Sequence, residues 1–139
     1  MKYLLDTDTL SEPARRSPDK SVLRRMTEAR PEIVTSTVVV HEMVFGILRL
    51  QKGLKRDMLT EYCREFVLDS VPALAFDLEA ALWLAGQRAT LAAVGRPVPF
   101  VDGMIAGTAA VHDLTLVTHN VRHFEGFSGL RVESWHMPT

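Results

Sequence analysis

Short apolar segments alternate with longer amphipathic segments along most of the chain. Apolar runs that are bounded by polar or turn-forming residues are typical of strands. Five such runs predict strands at 2–5, 32–35, 71–76, 114–118 and 130–133.

The segments between these runs have helical periodicity and a capping residue at or near their start. A short helix is expected around Ser11 and Glu12, capped by Asp8 or Thr9. Five longer helices are predicted at 18–30, 38–52, 55–68, 78–94 and 100–112. The expected caps are Ser17 for the first of these, Ser36 or Thr37 for the second and Asp77 for the fourth, with Gly53 and Gly95 closing the second and the fourth.

Strands that alternate with helices predict an α/β fold. We expect a single domain over 1–139, with a mainly parallel central sheet of four to five strands flanked by helices. Such sheets carry their sites beyond the carboxyl ends of the strands. This rule nominates Asp6 after the first strand, and Thr118, His119 and Asn120 at the end of the fourth.

The composition is that of a globular domain, with 47% hydrophobic and 24% charged residues. No apolar run reaches the roughly 18 residues of a membrane span, and an acid at position 6 comes too early for a secretion signal. The single cysteine, Cys63, excludes an intrachain disulfide and a cysteine cluster for zinc. We therefore expect a cytoplasmic protein with no membrane association.

The net charge of −1 is not typical of a duplex-DNA-binding protein. Basic residues are nevertheless concentrated between positions 15 and 30, beginning with Arg15, Arg16 and Lys20. Such a group is either a solvated helix face or a surface that contacts phosphates.

Three acids stand where packing would favour an apolar side chain. Asp6 directly follows an apolar strand, Glu42 interrupts an apolar helix, and Asp102 shares a helix stripe with Ile105 and Ala106. Each has a structural alternative, because an acid near a helix start caps the helix or stabilises its dipole. Gly103, beside Asp102, and Gly107 predict that this helix packs closely against a neighbour.

Carboxylates gathered at one sheet edge repel one another unless a cation neutralises them. Without cysteine ligands, an all-oxygen site favours Mg²⁺ or Mn²⁺ over zinc. Such an ion activates water and stabilises charge on a phosphoryl oxygen. The acids thus indicate hydrolysis of a phosphodiester.

Four motifs in this order resemble the PIN-domain nucleases, and within them the VapC-like toxins of bacterial type II toxin–antitoxin pairs. They are LLDTDTLSE at 4–12, His41-Glu42 with Gly46, VDGMIA at 101–106, and LVTHN at 116–120 with Phe124. The ending GLRVESW at 129–135 is also similar to that group.

The resemblance implies a metal-dependent endoribonuclease, inhibited by an antitoxin encoded beside it and usually dimeric, as a homodimer or in a toxin–antitoxin hetero-oligomer. The family's catalytic acids map onto Asp6, Glu42 and Asp102, which we expect to bind Mg²⁺ or Mn²⁺. The fourth position, commonly an aspartate, is Asn120 here, while Asp8 replaces the family's asparagine and adds a charge. One tightly held ion is therefore expected. Contacts to RNA are expected from Thr118, His119, Arg15, Arg16 and Lys20.

Two alternatives stay open at this point. A phosphatase of the haloacid-dehalogenase type would use Asp6 as its nucleophile and Asp8 as its partner, but Leu10 and the absence of a downstream acidic pair argue against it. A non-catalytic module that binds RNA or protein through a degenerate site is supported by Asn120.

Overall fold

The five predicted strands form one sheet. The computed structural model describes residues 1–138, with strands β1 (Tyr3–Leu5), β2 (Ile33–Ser36), β3 (Ala73–Leu74), β4 (Thr115–Val117) and β5 (Arg131–Glu133). The strand order is β3-β2-β1-β4-β5, and every neighbouring pair is parallel. The predicted α/β architecture is confirmed, and β1 is the central strand. The residue that follows it therefore lies at the middle of the carboxyl edge of the sheet.

Helices flank the sheet. They are α1 (Thr7–Leu10), α2 (Lys20–Ala29), α3 (Thr37–Leu48), α4 (Leu54–Tyr62), α5 (Leu78–Ala93) and α6 (Phe100–Val111). Single 3₁₀ turns cover Glu12–Ala14, Arg30–Glu32 and Val121–Phe124, and a π-helical turn over Cys63–Leu68 continues α4. None of the helices within residues 1–138 has the length and apolar composition that a membrane span requires.

The core lies on both faces of the central strands. Leu4, Leu5 and Leu116 are fully buried, as expected for a parallel sheet that helices cover on both sides. The close approach predicted for α6 is confirmed, because a Cβ added at Gly107 would lie 3.1 Å from the carbonyl oxygen of Ala80 on α5. This contact fixes the position of α6, which carries Asp102.

Two helix starts differ from the prediction. The short first helix starts earlier than predicted, at Thr7, and is capped by Asp6 instead of Asp8 or Thr9; the Asp6 carboxylate accepts a hydrogen bond from the backbone N–H of Thr7. Ser11 and Glu12, which were expected within this helix, lie at its C-cap and in the following 3₁₀ turn. Asp19, not Ser17, caps α2, because its carboxylate accepts from two backbone N–H groups of the first turn. An aspartate with two such donors outcompetes a serine two residues earlier.

Two other elements are shorter than predicted. The third helix ends at Leu48 and not near position 52, and Gly53 precedes α4 instead of closing α3. The exposed polar residues Gln51 and Lys52 offer no apolar side chain that would continue the buried face. The strand β3 has two residues because it is an edge strand, and Pro72 before it has no N–H to donate.

Candidate active site

Asp6 occupies the centre of the carboxyl edge of the sheet. Its backbone N–H donates to the carbonyl oxygen of Val117, 2.9 Å away, which continues the pairing of β1 with β4. One carboxylate oxygen accepts from the N–H of Thr7 at 2.7 Å, and the other accepts from the hydroxyl of Thr118 at 3.0 Å. The residue is only 9% exposed. The fold thus holds a buried carboxylate in a fixed orientation.

The surroundings of Asp6 favour its protonated form. Burial is the largest cause, and it acts together with the negative charge of Asp8 and, to a smaller degree, that of Glu42. The hydrogen bonds from Thr7 and Thr118 oppose them, and the net result raises the pKa of Asp6 to about 6. Three acids therefore act on one another at this edge of the sheet.

Glu42 reaches the same place from α3. The side chain of Ser36 accepts a hydrogen bond from the N–H of Val39, so this predicted cap is confirmed. Glu42 lies in the second turn of α3 and is half-buried. Its Oε1 accepts from the hydroxyl of Thr7 at 3.2 Å. Because Thr7 also donates its N–H to Asp6, one residue links the first two acids.

Asp8 and Asn120 complete this side of the site. The carboxylate of Asp8 accepts from the backbone N–H of His119 at 3.2 Å and from the side-chain amide of Asn120 at 3.3 Å. The backbone N–H of Asn120 donates to the Thr118 hydroxyl, which in turn donates to Asp6. At the position where the family commonly has an aspartate, this chain therefore has Asn120, whose amide donates a hydrogen bond to Asp8 of the first motif.

Asp102 lies in the first turn of α6, with its side chain 24% exposed. Burial raises its pKa, the facing His123 lowers it, and the charge of Asp8 raises it. His123 Nδ1 stands 3.6 Å from the Asp102 carboxylate. Asp102 thus belongs to the same electrostatic cluster as Asp6, Asp8 and Glu42.

The donor set of this cluster suits a hard divalent cation. The groups are carboxylate oxygens, the ligands that Mg²⁺ and Mn²⁺ prefer. Within residues 1–138, no three Asp, Glu, His or Cys side chains are close enough to enclose one ion. The carboxylates form an open set of donors rather than a closed cage. Burial is the main cause of the raised pKa of Asp6 and of Asp102, and the charge of Asp8 adds to it at both residues. A cation bound here would neutralise that charge.

The residues expected to contact RNA are found in different environments. Thr118 is fully buried, so its hydroxyl positions Asp6 and does not face a ligand. His119 is exposed beside the acids. Arg15, Arg16 and Lys20 are exposed on the segment that leads into α2, and Arg15 lies 3.6 Å from Glu12. None of these three contacts the four acids directly.

The structure also contains a buried contact between an acid and a histidine that the sequence did not indicate. Glu12 is 3% exposed, and its carboxylate lies 3.0 Å from His136 Nε2. The same carboxylate accepts from the backbone N–H of Asp19. The ring of His136 stands edge-on to that of His119, with centroids 4.0 Å apart. Glu12 and His136 are separated by 124 positions, so no local pattern connects them. The contact of His123 with Asp102 was likewise not indicated by the sequence.

Comparison with known proteins identifies the family. The sequence matches the PIN domain family over residues 3–128, a span that includes all four acids. The chain belongs to the PIN-domain family. This finding confirms the resemblance drawn from the four motifs and leaves the phosphatase alternative without support.

Within that family the chain is VapC-like. It is 34% identical over 135 residues to a protein of Shigella flexneri named tRNA(fMet)-specific endonuclease VapC, covering 97% of this chain and 98% of the relative. It is 30% identical over 136 residues to Toxin FitB of Neisseria gonorrhoeae, covering 96% and 98% of the two chains. The crystal structure of FitAcB from Neisseria gonorrhoeae superposes with a TM-score of 0.87 at 29% identity, covering 97% of this chain and 99% of the other.

Proposed function

We propose that this protein is a metal-dependent endoribonuclease and the toxin of a type II toxin–antitoxin pair. The observation that carries the proposal is the grouping, at the carboxyl edge of the sheet, of four acids from α1, α3 and α6 around the buried Asp6. The charges of Asp8 and Glu42 contribute to the raised pKa of Asp6, and that of Asp8 contributes to the raised pKa of Asp102. If Asp6 served only as a helix cap, the fold would not require three further acids around it. The names of the relatives, which include VapC endonucleases and ribonucleases, support RNA as the substrate class.

The proposed roles follow from the position of each group. Asp6 and Asp102 would bind one Mg²⁺ or Mn²⁺, and Glu42 would bind the ion or orient the attacking water. A bound divalent ion lowers the pKa of a coordinated water and stabilises charge on a phosphoryl oxygen. Asn120 holds Asp8 through its amide, and it supplies no fourth carboxylate, which favours one tightly held ion over two.

The substrate would approach over the exposed rim of the site. His119 borders the acids there. Arg15, Arg16 and Lys20 stay candidates for contacts to backbone phosphates, because Arg and Lys side chains supply most such contacts. These contacts would add affinity for RNA without reading its sequence.

Partners are proposed on two grounds. Solved structures similar to this chain are toxin–antitoxin complexes, among them VapBC from Salmonella typhimurium bound to DNA, at 30% identity. A cleft of about 480 Å³ between α3 and α6 opens on Glu42 and is lined by apolar side chains that include Phe45 and Met104. We expect the protein to bind a cognate antitoxin and to form a homodimer. We also expect a cytoplasmic location, where its RNA substrate is found.

Cleavage of single-stranded RNA tests the proposal. We expect cleavage with Mg²⁺ or Mn²⁺, loss of cleavage in EDTA, and loss in Asp102→Asn under all conditions. Asp113→Asn is a matched control, since Asp113 is exposed and precedes β4 at the opposite edge of the sheet. Full activity in EDTA contradicts the metal mechanism. RNA binding without cleavage under any metal condition would favour the non-catalytic alternative.

A further inference from the structure

A second pocket, of about 230 Å³, borders the acid cluster. Two arginines and a histidine line it, Arg96, Arg122 and His123, and its apolar lining includes Val98 and Phe127. It lies outside the four motifs, and we refer to it below as the cationic pocket.

The backbone positions of both arginines are fixed. Arg96 follows the C-terminus of α5, where Gly95 has a φ of +71°. The N–H of Arg96 donates to the carbonyl oxygen of Leu91 at 2.8 Å, and the N–H of Gly95 donates to that of Ala92. This pair of bonds is a Schellman motif. Arg122 lies in the 3₁₀ turn Val121–Phe124, which the buried Phe124 anchors.

The two guanidinium groups have no acidic partner. Within residues 1–138, Arg96 and Arg122 lie more than 4.0 Å from every carboxylate, whereas Arg15, Arg64 and Arg131 each pair with an acid. Two unpaired cations that line one concavity with an apolar wall form a site for an anion, because their mutual repulsion is relieved when the anion binds.

The cationic pocket is adjacent to the proposed catalytic acids. His123 lines it and also stands 3.6 Å from the Asp102 carboxylate. Pro99, another lining residue, immediately precedes α6 and is three positions before Asp102. An anion held here would therefore lie next to the acid cluster.

We propose that the cationic pocket is a subsite for a phosphodiester group of the RNA that flanks the scissile bond, bound by Arg96 and Arg122. The inference rests on the proposed ribonuclease function and adds a substrate contact to it. Four acids repel the RNA backbone, so cations beside them are needed to hold the strand. The planar guanidinium group suits a phosphate because it donates two parallel hydrogen bonds. Such contacts read the backbone and not the bases.

The first test is RNA affinity measured by fluorescence anisotropy in EDTA, with a labelled single-stranded RNA and a series of salt concentrations. Each phosphate contact to a single strand contributes a slope of about 0.7 in log affinity against log salt. Because both arginines bind the same phosphate, Arg96→Gln with Arg122→Gln should reduce the slope by about 0.7. The advantage of the wild type should then shrink about 2.6-fold between roughly 50 and 200 mM salt.

Two variants control this measurement. Arg131→Gln removes one positive charge at the first residue of β5, at the opposite edge of the sheet, and should leave the slope unchanged. Arg96→Lys with Arg122→Lys keeps both charges and should retain most of the slope. If the double glutamine variant has the slope of the wild type, or if Arg131→Gln has the same effect, the cationic pocket is not an RNA subsite.

Cleavage kinetics separate this inference from the proposed function. Loss of a contact made equally in the ground and transition states raises KM and leaves kcat unchanged, and this is expected for the double glutamine variant. If the wild type binds RNA through the cationic pocket but never cleaves it, the proposed function fails and the subsite stands. If the wild type cleaves RNA and the double glutamine variant has an unchanged KM, the subsite alone is wrong.

Discussion

At the scale of single residues, Asp6 combines two features, a helix cap and a place in a cluster of acids. It caps α1 through the N–H of Thr7, which stabilises the fold. It is also buried beside Asp8 and Glu42, which disfavours its charged form. The sequence left a helix cap and membership of an acid cluster open as alternatives, and the structure shows that one carboxylate is both. The cap orients the group, and we expect the neighbouring charges to favour the binding of a cation.

The raised pKa of Asp6 predicts how stability depends on pH in the absence of metal. The unfolded chain releases this proton near pH 4, whereas the folded chain keeps it until about pH 6. The folded state binds more protons in that interval, so the free energy of unfolding should fall as pH rises from about 4 to about 6, by at most about 3 kcal/mol. Urea denaturation in EDTA across this range measures it. Asp6→Asn should flatten the decrease, and Asp113→Asn should not.

Asn120 gives a second prediction at this scale. Asn120→Asp replaces the amide that donates to Asp8 with a carboxylate that repels it. The melting temperature in EDTA should fall, and Mn²⁺ should bind more tightly by calorimetry, because a fourth acid joins the donors. Asn120→Ala loses the same hydrogen bond without adding charge, so it should not tighten Mn²⁺ binding. If Asn120→Asp and the wild type bind Mn²⁺ with equal affinity, residue 120 is not part of the metal site.

At the scale of elements, the contact between α5 and α6 determines where Asp102 lies. A Cβ at Gly107 would stand 3.1 Å from a backbone oxygen of α5, which cannot move independently of its helix. Gly107→Ala should therefore destabilise the protein by about 1–3 kcal/mol and lower RNA cleavage by displacing Asp102. Gly86→Ala is the matched control, since nothing lies within 4 Å of its Cβ position, and it should be neutral or stabilising by up to about 1 kcal/mol. Equal melting temperatures for the two variants would show that the contact is not tight.

The exposed face of α5 is the predicted interface of the homodimer. Leu78 and Leu82, one turn apart, are 74% and 66% exposed. Apolar side chains grouped in this way are typical of an interface. Leu82→Glu should convert a dimer to a monomer in light scattering. Met58→Glu, at a comparably exposed residue of α4, should leave the dimer intact. If Met58→Glu dissociates the dimer and Leu82→Glu does not, the interface lies on another surface.

Element types could be predicted from the sequence because hydrophobic periodicity is a local property. All five strands were located, and the cap of α3 was one of the two proposed. The end of an element depends on which nearby polar side chain caps it. Asp19, not Ser17, caps α2 because its carboxylate accepts hydrogen bonds from two backbone N–H groups of the first turn. Such competition is decided by geometry, which the order of residues alone does not contain.

At the scale of the whole molecule, the sheet order brings the site together. Because β1 lies between β2 and β4, Asp6 and Thr118 become neighbours although 112 positions separate them. The rule that sites lie beyond the carboxyl ends of parallel strands predicted this edge. The contact of Glu12 with His136 and the cationic pocket were not predicted, since both join segments that are distant along the chain and have no regular spacing.

Thermal melting of the wild type and of Asp102→Asn, each in EDTA and with Mn²⁺, tests most directly that the acids form a metal centre. Burial and the charge of Asp8 disfavour the ionised Asp102 more than the facing His123 favours it, so Asp102→Asn should melt at the same temperature as the wild type or higher in EDTA. Mn²⁺ at a hundred times its dissociation constant should stabilise the wild type by about 2.7 kcal/mol, and the variant much less. If Asp102→Asn instead melts several degrees lower in EDTA and gains as much from Mn²⁺ as the wild type, Asp102 is a structural residue and the proposed centre is wrong.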